Sequence, residues 1–216
     1  FSFHSSGLEI PGDAGQNLCV RAYHLLSEKY GLPAVAMHLH KVIPMGAGLG
    51  GGSSDGAFAL KLLNELFETG MTERELAGYA RQLGSDCSFF LESKPCYGSG
   101  RGDRLEPVEI DLSGYTLALV APGIHVSTAE AYGAVTPAIP RIPVKDIMRL
   151  PVMQWKDCLV NDFELPVFRK YPVLGEIRDT LYERGAVYAS MTGSGSALFG
   201  IFPEKPALSG QFTGCF

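Results

Sequence analysis

The stretch "KVIPMGAGLGGGSSDGA", residues 41–57, decides the fold. Gly46, Gly48, Gly50, Gly51 and Gly52 fall within seven positions and lead directly into Ser53, Ser54 and Asp55. Glycine in that density costs folding entropy, so a backbone left this bare calls for close approach by something else. The next segment, "SSDGAFALKLLNELFE", places Ala59, Leu63, Leu66 and Phe67 on one helical face. The glycines therefore precede a helix. The free amides and the positive dipole end at a helix start favour phosphate oxygens.

Three kinds of glycine loop compete for this stretch. A P-loop needs a Lys just before its Ser or Thr, but Gly52 meets Ser53 directly. The dinucleotide fingerprint G-x-G-x-x-G fits Gly46, Gly48 and Gly51, yet it belongs after a continuous apolar strand and about 20 residues before a ribose-binding acid. Here residues 34–44 alternate instead. Val35, Met37 and Leu39 point one way, His38 and His40 the other, and the run ends at Pro44. Glu65 and Glu68 fall on the following helix. The third kind fits: a long loop that cradles a triphosphate without a P-loop Lys. Its serines sit at the helix cap, where a hydroxyl bonds phosphate or helps hold a metal ion bridging phosphates. Plain capping by Ser53 is the competing explanation for one serine.

Residues 17–31 read as an amphipathic helix with Leu18, Ala22, Leu25 and Leu26 on one face and Gly31 as its stop. "MTERELAGYARQLG" is a second helix with a Thr72/Glu75 capping box and Gly84 at its end. "CSFFL" is an apolar patch, "YGSGRGD" is turn-rich, and "YTLALVAPG" reads as a buried strand. "PVLGEIRDTLYERGA" is helical with Ile177 and Leu181 inward. "VYASMTGSGSALFGIF" reads as strand, tight turn, strand. The alternating strands predict antiparallel pairing and an α+β class. A new strand after "DLSG" divides the chain into domains 1–113 and 114–216.

Composition narrows the function. The chain has 216 residues, 46% hydrophobic and 19% charged, with a net charge of −5. That balance is ordinary for a soluble globular protein and argues against a dedicated nucleic-acid binder. No apolar run reaches membrane-spanning length, and the first residues lack a secretory pattern, so a cytoplasmic location is expected. Cys19, Cys87, Cys96, Cys158 and Cys215 contain no C-x-x-C pair, which predicts free thiols. His38 and His40 share a strand face with no third ligand in view, so a solvated face is expected there and no metal site.

The loop "PMGAGLGGGSSDGA" resembles the second signature of the GHMP kinases. Further segments match that family in order: "GDAGQNLCVRAYHLL", "QLGSDCSFFL", "APGIHVSTAEAY", "NDFE" and "GAVYASMTGSGSALFGIF". The resemblance implies two domains: an N-terminal one like ribosomal protein S5 domain 2 over 1–113, and a ferredoxin-like one over 114–216. It also implies transfer of the γ-phosphoryl of ATP, accompanied by Mg, to a hydroxyl of a cytidine-diphosphate sugar alcohol. The expected partners are ATP and that small molecule, with neither nucleic acid nor membrane, in a monomer or homodimer. By the same resemblance Asp86 is the general base and touches substrate. Pro44, Met45, Gly46, Ala47, Gly48, Leu49, Gly50, Gly51, Gly52, Ser53 and Ser54 hold ATP, with Asn17 near the adenine. Thr128, Tyr132, Gly193, Ser194 and Gly195 fall on the substrate side. Packing for Tyr132, capping for Asn17 and a plain hairpin for residues 193–195 are the competing readings.

The family's first signature, P-x-K-x-N-L with a Lys that works with the aspartate, is not found in the chain. Neither is the Y-H pair that follows it. The chain starts without Met and in mid-pattern, so the expectation is that both lie upstream of Phe1. Another small-molecule kinase of the family, or a nucleotide-binding chain without turnover, are the alternatives.

Overall fold

The computed structural model describes residues 1–212; Cys215 lies outside them. The chain forms two compact units. One comprises residues 1–45 and 50–107. The other comprises residues 46–49 and the chain from Val108 onward.

The first unit opens with β1 (Ser2–Gly7), α1 (Leu18–Tyr30) and β2 (Ala36–Lys41). Asn17 caps α1 by accepting from the Cys19 amide at 2.9 Å, and Gly31 ends it in the left-handed region at φ 63°. Met37 and Leu39 are half-buried between exposed His38 and His40, so the expected alternation is present. The pairing is not the expected one: β1 and β2 run parallel, Ser2 opposite Ala36 and Gly7 opposite Lys41. The α1 crossover allows this, since it returns the chain to the same end before the second strand starts.

Then come α2 (Gly51–Leu66), α3 (Glu73–Leu83) and α4 (Cys87–Glu92). Ala57, Leu60 and Leu63 of α2 pack with Ala22 and Leu26 of α1 and Ala80 of α3 in one core. Leu66, expected on this buried face, is 62% exposed. The helix turns its Gly56, Ala57 and Leu60 side inward because Gly56 lets Leu18 approach. A Cβ at Gly56 would stand 2.8 Å from that of Leu18. The Thr72/Glu75 capping box is present. Gly84 follows α3 in extended backbone rather than the left-handed form. The "CSFFL" patch is α4, too short for its period to show in the sequence. β3 (Cys96–Ser99) and β4 (Arg104–Pro107) then form an antiparallel hairpin.

The second unit contains β5 (Thr116–Val120), α5 (Thr128–Ala134), α6 (Val144–Ile147), α7 (Glu164–Lys170), α8 (Pro172–Glu183), β6 (Tyr188–Met191) and β7 (Leu198–Phe202). The sheet order is β5-β7-β6, antiparallel throughout. β5 was expected to be buried, but it lies at an edge with Leu117 64% and Leu119 45% exposed. Leu174, Ile177 and Leu181 of α8 pack with Val120, Met191, Leu198 and Phe202. Glu164 is buried at 8% exposure. It accepts from Ser190 Oγ and the Met191 amide, both at 2.7 Å, and pairs with Arg178 at 3.0 Å.

Candidate active site

The glycine loop belongs to both units, and each half is held by its own neighbours. In the second unit, Thr192 Oγ1 donates to the Gly48 carbonyl at 2.9 Å and the Ala197 amide donates to the Ala47 carbonyl at 3.0 Å. Gly48 has φ 73°, and a Cβ there would collide with the Thr192 carbonyl. Ala47 packs with Ala121 and Ala197, and Leu49 covers that small cluster. Gly193, Ser194 and Gly195 lie in the turn between β6 and β7. Asn161 fixes that turn by donating to the carbonyls of Met191 at 2.7 Å and Gly193 at 2.9 Å. In this unit the 192–197 turn thus grips the incoming half of the loop.

In the first unit, Gly50 is the N-cap of α2 at φ 67°, with no side-chain cap. Ser53, expected at the cap, lies inside the first turn. The left-handed Gly50 already turns the chain, so no hydroxyl is needed there. The Ser54 amide donates to the Gly50 carbonyl at 2.9 Å. The amides of Gly51, Gly52 and Ser53 lack intrahelical partners by position. A Cβ at Gly50 would stand 2.7 Å from the Phe90 ring, whereas one at Gly52 would meet nothing within 4 Å. Gly52 is thus the glycine whose bare side faces open space, where a ligand can reach the first turn of α2.

Two neighbours in the same unit define that opening. The first is a cavity of about 420 Å³ lined by Asn17, Lys41, Met45, Gly52 and Asp55, with Ile10, Pro11 and Leu18 as apolar walls. Asn17 both caps α1 and lines this cavity. Lys41 is 3% exposed, and its ammonium meets Asp55 at 2.5 Å. Neither member of this pair was singled out from the sequence. The signal was present: the alternation that buries residues 35, 37 and 39 continues to 41, so Lys41 had to point inward.

The second neighbour is α4, which Asp86 heads. Its Phe90 packs on Gly50. Burial pushes the Cys87 thiol up, and a hydrogen bond with Ser53 opposes that shift. Asp86 itself is exposed, accepts from Ser85 Oγ at 3.1 Å, and faces Gly102 of the β3–β4 turn, where a Cβ would lie 3.7 Å from its Oδ1. Pro44 and Met45 precede the loop, Met45 being 46% exposed.

Of the substrate-side residues, Thr128 begins α5 and is exposed. Tyr132 is 66% exposed, with its ring edge-on to Phe163 at 4.9 Å between centroids. His38 and His40 both bond Ser6 Oγ at 2.9 Å on an open strand face.

A lysine-free glycine loop leading into a helix, with a carboxylate beside its exit, marks a small-molecule phosphotransferase, and family comparison agrees. Residues 17–94 match the N-terminal domain of the GHMP kinases and residues 146–209 their C-terminal domain. The chain belongs to the GHMP kinase family, whose phosphate donor is ATP. It is 48% identical to 4-diphosphocytidyl-2-C-methyl-D-erythritol kinase of Bacteroides fragilis, over all of this chain and 79% of that protein. It is 50% identical to the kinase of the same name from Cytophaga hutchinsonii, over 94% and 76% respectively. A solved 4-(cytidine 5'-diphospho)-2C-methyl-D-erythritol kinase superposes with a TM-score of 0.74 at 38% identity, covering 91% of this chain and 73% of that one. Mevalonate kinase of Methanococcus jannaschii, 16% identical with a TM-score of 0.63, shares the fold.

Proposed function

We propose that the protein transfers the γ-phosphoryl of ATP to a hydroxyl of 4-diphosphocytidyl-2-C-methyl-D-erythritol, a step of non-mevalonate isoprenoid synthesis. The observation that carries this reading is the placement of Asp86. It heads the helix whose Cys87 bonds Ser53 and whose Phe90 packs on Gly50, which supports a carboxylate acting next to the glycine loop. The substrate oxygen attacks the γ-phosphorus, the bond to the β–γ bridging oxygen breaks, and ADP leaves. Asp86 takes the hydroxyl proton. The loop amides, with Ser53 and Ser54, hold the triphosphate, and the cavity at Asn17 and Met45 takes the adenine. Thr128, Tyr132 and residues 193–195 serve the cytidylyl substrate, with Tyr132 offering a face for the base.

Mg fits this donor set as a phosphate-borne ion. Among the described residues, no three His, Cys, Asp or Glu converge on one point. Mg²⁺ needs no such cage, since phosphate oxygens with one or two protein oxygens suffice, and Ser53 and Ser54 supply hydroxyls. Bound there, the ion neutralises charge on the phosphates. A net charge of −5 supports small-molecule rather than nucleic-acid ligands. A cytoplasmic monomer or homodimer completes the reading.

The test is ADP release by the complete gene product with the cytidylyl substrate, compared with mevalonate and homoserine. Turnover is expected with the first alone, and preference for either of the others would reject the assignment. Asp86→Asn should lower turnover by a factor of about 10² to 10⁴ and leave ATP affinity unchanged. Equal loss of both would make Asp86 structural.

A further inference from the structure

We infer that His125 is a ligand for phosphate oxygens carried on the incoming half of the glycine loop, an inference that rests on the kinase reading above. Gly46 has φ 68°, and a Cβ there would stand 2.6 Å from His125 Nδ1 and 2.9 Å from its Cε1. The bare backbone of Gly46 and the imidazole are therefore fitted to each other within the second unit. A side chain at 46 would expel the ring even if the backbone angle were tolerated.

The backbone that carries the ring is anchored on both sides of His125. The carbonyl of Ile124 accepts the Ser196 hydroxyl, and Val126 is buried at 2% exposure. His125 itself is exposed. Among the described residues, no hydrogen bond or ion pair engages its ring. His38 and His40, by contrast, are both bonded to Ser6. A positioned imidazole beside a glycine loop, with an unspent N–H, is suited to an anionic oxygen. Charge-assisted hydrogen bonds of this kind are roughly twice as strong as neutral ones. Residues 46–49, the incoming half of the loop, include no lysine, and Lys41 beside Gly51 is already paired with Asp55, so the imidazole is the donor offered on this half. Two residues further on, Ser127 leads into α5 and Thr128.

Phosphate oxygens reach this place from two sources, the triphosphate of ATP and the diphosphate of a cytidylyl substrate. Calorimetry on the chain with ATP, CDP, adenosine and cytidine separates them. His125→Ala should weaken ATP or CDP about tenfold, the equivalent of one good hydrogen bond, and leave both nucleosides unchanged. Loss in the ATP arm assigns the triphosphate; loss in the CDP arm assigns the diphosphate. His125→Gln, which keeps an N–H donor, should recover part of the loss, with an unchanged melting temperature in both variants. Undiminished binding of both phosphorylated ligands, or parallel loss of nucleosides and nucleotides, would overturn the inference and leave the kinase reading standing. A wild-type chain that binds neither ATP nor CDP would overturn both.

Discussion

Lys41 at the end of β2 and Asp55 on α2 meet at 2.5 Å, with side-chain exposures of 3% and 24%. The pair closes the base of the glycine loop in the first unit, tying the strand that enters it to the helix that leaves it. A buried charge costs most when its partner is lost, and Lys41 is the more buried of the two. Asp55→Ala should therefore destabilise by on the order of 3 kcal/mol, and more than Lys41→Met does. Urea unfolding of the two single variants and the double variant measures this. A double variant as unstable as the sum of the singles would show that the pair is not coupled.

The glycines of the loop make opposite predictions. Gly48 is left-handed and pressed against the Thr192 carbonyl, so Gly48→Ala should cost more than about 2 kcal/mol. Gly52 is helical with open space beside it. Gly52→Ala should keep or raise the unfolding free energy, by up to about 1 kcal/mol of helix propensity, while weakening ATP binding. Unchanged ATP affinity with raised stability would mean that the bare backbone at 52 serves no ligand.

Glu164 organises the second unit by accepting from Ser190 and Met191 and pairing with Arg178. Glu164→Ala strands the buried Met191 amide, leaves the Ser190 hydroxyl its longer bond to the Met191 carbonyl, and removes one of the two carboxylates that Arg178 pairs with. A loss of about 3 kcal/mol is expected in chemical unfolding. Glu164→Gln should lose less, since one amide oxygen can still accept.

The Cys19 thiol is pushed up to about 12, first by burial and then by the charge of Asp55, with Lys41 opposing. At pH 8 roughly one part in ten thousand is thiolate. Alkylation followed by peptide mapping should leave Cys19 and Cys87 unmodified in the folded protein and label partly exposed Cys158. The unfolded thiol ionises near 9.0 while the folded one keeps its proton to about 12. Cys19 therefore contributes its full stability below pH 9, and that contribution is lost as pH rises from 9 towards 12. Cys19→Ser, whose hydroxyl does not ionise there, should flatten that decline.

Much of the fold was legible because its signals are local. The 3.6-residue period of α1, α3 and α8, the Thr72/Glu75 box and the Asn17 cap each arise within a few residues. α4 was not legible, because six residues hold less than two turns of pattern. The burial of β5 is not legible either, because an apolar run does not say whether a strand ends at a sheet edge. The antiparallel expectation for β2 failed for a related reason: alternation reports one covered face and one open face, not the direction of the neighbouring strand.

The sequence by itself determined that a lysine-free glycine loop precedes a helix, and which family that loop resembles. Both follow from residue types at fixed spacing. The tertiary structure alone decided which glycines are bare for packing and which for approach. Gly46, Gly48 and Gly50 are filled by His125, Thr192 and Phe90, while Gly52 stays open. It also decided that Lys41 finds Asp55 across the loop and that α4 leans on Gly50. These contacts join residues far apart in the chain, and no local periodicity encodes them, because long-range packing selects the partner only once both cores have formed.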